Sequence, residues 1–257
     1  MLGSVAAISV EHLTRRYDSG TLALSDVNFE IADGEFVSVV GPSGCGKSTM
    51  LRIMAGLDTA SEGRIVLDAR AAAPAPGHLA SAMVFQEAAL FPWLTVEQNV
   101  ALAFDSLNVA RAEVNERVAK QLALVGLATF AKAYPHQLSG GMKQRAAVAR
   151  AFAVDPPVLY MDEPFGALDE QTRVAMAGEL LALWERSRKT VVFITHGIEE
   201  AITLSDRIVV LSASPGTVKE IIPVEFPRPR DAIALRGDKK FGEYVVRIWD
   251  LLRPTAK

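Results

Sequence analysis

Phe36-Val-Ser-Val-Val40-Gly41-Pro42-Ser43-Gly44-Cys45-Gly46-Lys47-Ser48-Thr49 decides the fold of this chain. Its first five residues are a short, nearly continuous apolar run, the mark of a strand buried on both faces. The run stops at Gly41, and helix-like periodicity follows from Lys47 to Ala55. Between them, Gly41 to Ser48 fits the pattern G-x-x-x-x-G-K-[ST]. Glycines let backbone N–H groups turn inward and approach phosphates closely. A helix that starts at Lys47 presents the positive end of its dipole to the same anion. Lys47 is predicted to reach the β- and γ-phosphates of a nucleotide, and the Ser48 hydroxyl to bind Mg2+. An accidental Gly-rich turn would lack the strand before and the helix after. The loop alone does not choose between a kinase, a GTPase and an ATPase.

Outward from this loop, the apolar pattern predicts an α/β fold. Ile8 to Leu13 and Val27 to Ile31 alternate apolar and polar side chains, as half-buried strands do. Met83 to Phe85, Val158 to Met161, Thr190 to Thr195 and Arg207 to Leu211 read as buried strands. Helical stretches separate the later ones, which predicts βαβ units and a mainly parallel sheet. The middle differs. Val114, Val118, Leu122 and Val125 fall on one helical stripe of Arg111 to Val125. From Ala88 to Pro156 the pattern contains helices and loops and no strand, so a helical subdomain is expected at about 88–156. Ala69 to Gly77 reads as a surface loop. Pro223 to Pro229 reads as extended, and Phe241 to Leu252 as a closing helix.

Composition narrows the classes. Half of the 257 residues are hydrophobic, enough for a sizeable core. With 27 basic and 30 acidic residues the net charge is −3, which leaves no basic footprint for nucleic acid. Cys45 is the one cysteine, so no intrachain disulfide can form. Met1 to Val10 lacks the charged start and apolar run of a signal peptide. No window reaches the roughly 18 apolar residues of a spanning helix. A cytoplasmic chain that meets a membrane through other proteins is the expectation.

Two further segments carry chemistry. Val158 to Met161 ends in Asp162-Glu163-Pro164. Acids at the carboxyl end of a core strand sit where open α/β sheets bind ligands. Asp162 is predicted to hold Mg2+ through water, and Glu163 to polarise the attacking water as general base. The second segment is Leu138-Ser139-Gly140-Gly141-Met142, which opens a helix. Ser139 is a good N-cap residue. Two glycines in the first turn cost a helix about 1 kcal/mol each against Ala. That cost is intelligible if a bulky anion must approach the backbone there.

Together these segments resemble the ATP-binding-cassette (ABC) ATPases, over almost the whole chain. Gly41 to Thr49 and Val158 to Glu163 resemble the family's Walker A and B motifs, and Leu138 to Met142 its LSGGQ signature. The resemblance implies a P-loop NTPase (RecA-like) core with an N-terminal antiparallel β subdomain and an inserted helical subdomain. It implies one ATPase domain over 1–257, with a C-terminal extension at about 213–257. Gln86 matches the glutamine that contacts Mg2+ and attacking water, and His196 the switch histidine at the γ-phosphate. Ala167-Leu168-Asp169 resembles the D-loop, and Tyr17 the aromatic that stacks on adenine. ATP contacts are thereby implied for Tyr17, Gly41, Pro42, Ser43, Gly44, Cys45, Gly46, Lys47, Ser48 and Thr49, and for Ser139, Gly140, Gly141 and Asp169. Mg2+ falls to Ser48, Gln86 and Asp162, and catalysis to Glu163, His196 and Gln86. In the family two cassettes close head-to-tail, so that Ser139 and its glycines meet the phosphates held by the partner's loop.

Glu87 to Val100, with Phe91 and Trp93, resembles the corresponding region of bacterial importers. Ser214-Pro-Gly216 and Phe226-Pro-Arg228-Pro-Arg230-Asp231 resemble the nitrate/sulfonate/taurine group. That group implies membrane permease subunits, indirectly a solute-binding protein, and a place on the cytoplasmic face of the membrane. Phe91 and Trp93 either face the groove for a permease helix or belong to the helical core. The other functional class is a non-transport ATPase of the same superfamily, for DNA repair, chromosome maintenance or translation. Those need long coiled-coil insertions or paired cassettes, and Gln86 to Ser139 has no sustained heptads. A small-molecule kinase would not need the signature segment. Two positions depart from the family: Met142 replaces Gln, and Gly197 follows His196 where importers carry Asp. His12, His78 and His136 match no catalytic position. Cys45 is open to two readings, a thiolate favoured by the helix start or an inert buried thiol.

Overall fold

The structure, a computed structural model, describes residues 6–68, 79–166 and 168–253. Strands β1 (Ala6–Arg16), β2 (Leu22–Ala32) and β4 (Glu62–Leu67) form an antiparallel sheet in the order β2-β1-β4. A six-stranded sheet contains β3 (Phe36–Val40), β5 (Ser81–Val84), β6 (Val158–Asp162), β7 (Thr190–Ile194), β8 (Arg207–Leu211) and β9 (Val218–Pro223). Its order is β5-β6-β7-β3-β8-β9, parallel from β5 to β8, with β9 antiparallel to β8. The helices are α1 (Lys47–Met54), α2 (Val96–Ala101), α3 (Arg111–Leu124), α4 (Gly140–Ala153), α5 (Glu170–Ser187), α6 (Ile198–Leu204), α7 (Ala232–Leu235) and α8 (Lys239–Leu252).

Every residue of β3, β6 and β7 is buried. Period-two alternation sends their side chains to two different cores. Val37, Val39, Tyr160 and Ile194 pack with α1 and the antiparallel sheet. Phe36, Leu159, Met161 and Phe193 pack with α4 and α5, where the Phe36 and Trp184 rings meet edge-on at 5.6 Å. Apolar residues on both faces are therefore what a sandwiched parallel strand requires.

Between Ala88 and Pro156 the described chain forms helices, turns and loops, as its pattern predicts. Val118, Leu122 and Val125 enter a third core with Val96, Val100 and Ala149. Helix α4 belongs to two cores at once. Ala146, Ala149 and Ala153 face the helical layer, while Ala147, Val148 and Ala151 face the sheet. Its small residues let both surfaces come close.

Several boundaries move. The strand expected at Met83–Phe85 runs over Ser81–Val84, and Phe85 leaves the sheet with 40% exposure. Thr195 lies just beyond β7, and Ala55 caps α1. Strands β4 and β9 have no counterpart in the pattern reading. Both are edge strands with largely open faces. Gly63 opens β4 at φ +78, where a Cβ would stand 2.2 Å from the His12 carbonyl oxygen. His12 and His136 lie at the surface, His12 on Asp26 and His136 stacked on Tyr134. The loop expected at Ala69–Gly77, His78 and Ala167 lie outside the described residues.

After β9 the segment Val224–Asp231 crosses the end of α6, and two arginines tie it there. Arg230 is buried and donates to five carbonyls, those of Ile202, Thr203, Ser205, Val224 and Phe226. These include carbonyls that the last turn of a helix leaves unpaired. Burial first, and then the charge of Arg228, push the Arg230 guanidinium down to about 10. Arg228 bonds Asp206 at 2.8 Å and the Leu204 carbonyl at 2.7 Å, and lies over the Trp184 ring at 4.2 Å. Arg230→Met keeps bulk but orphans these carbonyls. It is expected to lower unfolding free energy by roughly 2–3 kcal/mol in a urea titration; unchanged stability would show the clamp to be idle.

Candidate nucleotide site

Three parallel strands end at one edge of the sheet. Val39 pairs with Ile194, and Ile194 pairs with Asp162. The residues that follow these strands therefore converge: Gly41 to Thr49 after β3, Glu163 after β6, and His196 after β7. They line a cleft of about 300 Å³ with Tyr17, Ser43, Lys47, Thr49, Glu163 and His196 on its wall.

The loop keeps its shape through backbone freedom at Gly46. This N-cap of α1 has φ +98, and a Cβ there would lie 2.7 Å from the Ala23 carbonyl oxygen. Lys47 is buried, and its ammonium donates to the carbonyls of Gly41 (2.8 Å) and Pro42 (3.1 Å). The charge is thus held over the loop's concave side with hydrogen-bonding capacity to spare. The Ser48 hydroxyl donates to Asp162 Oδ1 at 2.9 Å. A hydroxyl and a buried carboxylate side by side are hard oxygen donors of the kind Mg2+ accepts. The Tyr17 hydroxyl lies 3.0 Å from Thr49 Oγ1, and Arg15 covers its ring at 4.8 Å.

Glu163 departs from strand geometry. Its φ is +46, and its N–H donates to the Ile194 carbonyl at 2.9 Å. A left-handed backbone at a non-glycine costs roughly 1–3 kcal/mol and is a feature of functional sites. Here it turns the carboxylate off the strand's alternation and into the cleft. His196 Nε2 stands 2.6 Å from Glu163 Oε1, and the Gln86 amide donates to Glu163 Oε2 at 3.5 Å. The three residues predicted to share catalysis therefore meet at one carboxylate.

The signature segment is elsewhere. Ser139 caps α4 and accepts the Met142 N–H at 3.3 Å. Ser139 and Gly140 are exposed, and Gly141 packs on the Thr172 and Leu168 side chains. None of the three lines the cleft of their own chain. Asp169 does not line it either. Its carboxylate caps α5, and the Thr172 hydroxyl and N–H hold it below the usual carboxylate range.

The pattern assigns no role to the residues that brace the site and the chain next to it. Asn99 is fully buried, accepts the Phe91 N–H and donates to the Phe91, Leu94 and Thr95 carbonyls. It shapes the turn that leaves Trp93 69% exposed. From α4, Gln144 donates to the Phe85 carbonyl, and Arg150 to those of Ala88 and Ala89. Glu200 and Thr195 adjoin His196 from α6 and the end of β7. An Asn or Gln in a helix carries no pattern signal that distinguishes such a brace from a solvated side chain.

Residues 24–166 match the family described as ABC transporter. An uncharacterized ABC transporter ATP-binding protein of Methanocaldococcus jannaschii is 45% identical over 249 residues, 96% of this chain and 91% of that protein. An aliphatic sulfonates import ATP-binding protein of Bacillus cereus is 45% identical over 227 residues, 87% of this chain and 88% of that one. Among solved structures, a dimeric ATP-binding cassette in a post-hydrolysis state with ADP and Pi superposes with a TM-score of 0.71 at 33% identity, over 86% of this chain and all of that one. Another neighbour is cbiO1 of Clostridium perfringens, part of an ABC transporter complex, with a TM-score of 0.75 at 26% identity over 96% of this chain and 98% of that one.

Cys45 sits inside the loop but is fully buried. Burial pushes its thiol up, against the smaller pull of Lys47. Of the two readings of this residue, the inert thiol fits. Iodoacetamide at pH 7.5 is expected to label it orders of magnitude more slowly in the folded chain than in urea. Equal rates would contradict the burial.

Proposed function

The chain belongs to the ABC transporter ATPase family, and from that premise we propose that it is the ATP-hydrolysing subunit of an importer for a small oxyanion. The observation that carries this reading is the meeting of Glu163, His196 and Gln86 beside the Lys47 loop. An aliphatic sulfonate, taurine among them, is the favoured solute, with nitrate the alternative. The named Bacillus cereus relative and the segment from Ser214 to Asp231 support that choice.

Lys47 and the loop N–H groups of Gly41 to Thr49 hold the phosphates, and Tyr17 stacks on the base. Its ring is already half-covered by Arg15, so the opposite face is the one for adenine. Ser48 and Asp162, with Gln86, would hold Mg2+, which supplies charge neutralisation along the phosphates when bound. Glu163 accepts a proton from the attacking water. His196 holds Glu163 in place through Nε2 and faces the terminal phosphate. Such preorganised charges need no rearrangement at the moment of reaction.

Ser139, Gly140 and Gly141 act in a second copy of the chain. Lying outside their own cleft, they serve the phosphates held by the partner's loop in a head-to-tail pair, with Asp169 near the seam. The proposed organisation is one ATPase domain over 1–257, with a helical subdomain at about 88–156 and an extension at about 213–257. Permease subunits anchor it to the cytoplasmic face of a membrane; no helix among the described residues is long and apolar enough to cross one. A groove of about 510 Å³, lined by Leu57, Met83, Phe85 and Phe91, receives a permease helix, with exposed Trp93 beside it. A separate solute-binding protein selects the sulfonate.

Glu163→Gln is expected to bind ATP normally and lose turnover by about 10²–10⁴-fold. Near-normal phosphate release from that variant would remove Glu163 from the role. For the solute, cells whose chromosomal copy carries Lys47→Ala are expected not to grow on aliphatic sulfonates as sole sulfur source, and to grow normally on sulfate and on nitrate. Loss of growth on nitrate instead would move the solute to that alternative.

A further inference from the structure

We propose that Glu200 is a positioning residue for hydrolysis: through the Thr195 hydroxyl it sets the turn that aims His196 at Glu163. This rests on the reading of Glu163 and His196 given above.

Helix α6 begins immediately after His196, and its N-cap is Gly197, which has no side chain to cap it. In an ordinary capping box the residue at the third helical position reaches back to the N-cap N–H directly. That third residue is Glu200. Its carboxylate does not reach the Gly197 N–H. Instead, Gly197 N–H donates to Thr195 Oγ1 at 2.9 Å, and the Thr195 hydroxyl donates to Glu200 Oε2. One hydroxyl thus relays a capping box across His196, from the residue before it to the residue after it.

The relay is fastened at both ends. Thr195 is buried, and its N–H donates to the Val39 carbonyl of β3 at 3.3 Å, the strand that feeds the phosphate loop. The far end of α6 is held by Arg230 on the Ile202 and Thr203 carbonyls. His196 itself is half-exposed, and Glu163 is the side chain it bonds. The imidazole therefore takes its direction from the turn beneath it.

Glu200 is an expensive residue at this place. Burial pushes its carboxyl up to about 7 despite the Thr195 bond; Arg173 opposes the rise, and Glu170 and Glu163 add to it. Its second oxygen, Oε1, is buried and has no hydrogen-bond partner among the described residues. A surface carboxylate would carry neither penalty. The perturbed group stands beside the reacting residues, which is where such costs accompany a role.

The test uses the full chain with steady-state ATPase assays and ATP affinity measured separately. Glu200→Ala and Thr195→Val are each expected to lower kcat about tenfold, with ATP Kd unchanged within about twofold. Glu200→Gln retains an acceptor and Thr195→Ser retains the hydroxyl, so each is expected to recover most of the turnover. The double variant Glu200→Ala/Thr195→Val is expected to be no slower than the slower single, because both cut one relay. Wild-type kcat in Glu200→Ala, multiplicative losses in the double variant, or a loss confined to Kd would each overturn the proposal. If Glu200→Ala fails to fold, the Thr195 pair decides alone. Glu163→Gln is the control: if it stays inactive while Glu200→Ala is normal, only this proposal fails, and if it hydrolyses ATP normally, the parent reading fails first.

Discussion

The parallel register of β6, β7 and β3 is the constraint on which the rest depends. Asp162 opposite Ile194, and Ile194 opposite Val39, place three chain segments at one edge within reach of each other. A slip of one residue would turn Val37 and Val39 away from α1 and into the core of Phe36 and Trp184. The same slip would carry Glu163 and His196 off the phosphate loop. Core packing and site geometry are therefore one requirement, enforced by alternation on two apolar faces. The strain at Glu163 is sustained by this frame, since its N–H is tied to the neighbouring strand at Ile194.

Peripheral parts grip that edge by backbone carbonyls. On one side α4 carries the signature segment at its start, and its Gln144 and Arg150 hold the chain that follows Phe85. On the other side Arg228 and Arg230 hold the end of α6, the helix that starts just after His196 and Gly197. These bonds join the helical layer and the C-terminal segment to the chain segments around Gln86 and His196, the residues that meet Glu163. Guanidinium and amide groups bonded to carbonyls suit this task, because they fix position without demanding a particular neighbouring side chain.

Much of this was legible beforehand. β3, β6, β7 and β8 are buried on both faces, and burial writes an apolar run that no loop imitates. Gly41 to Ser48 is legible because close approach of a backbone to phosphate excludes most residue types. The edge strands β4 and β9 were hidden, since neither buries a face deeply enough to write the alternation that marks β1 and β2; Glu62-Gly63-Arg64 even looks like a turn. Phe85 reads as strand because its apolar side chain continues the pattern after the pairing has stopped at Val84. Cys45 required the structure: its place at a helix start favours a thiolate, and only its complete burial decides against one. Tertiary partners of Asn99, Thr195 and Glu200 lie in contacts that periodicity cannot register.

One chain thus carries two helix starts proposed to bind anions, α1 behind Gly46 and α4 behind Ser139, and the second does not line the cleft of the first. Each is proposed to complete the other across two copies of the chain. Sedimentation of Glu163→Gln with and without ATP, alongside Glu163→Gln/Ser139→Arg, tests this most directly. The account predicts an ATP-dependent dimer for the first and a monomer for the second, with ATP still bound to each monomer through its own Lys47 loop. A dimer that forms equally well with Arg at 139, or that ignores ATP, would contradict it.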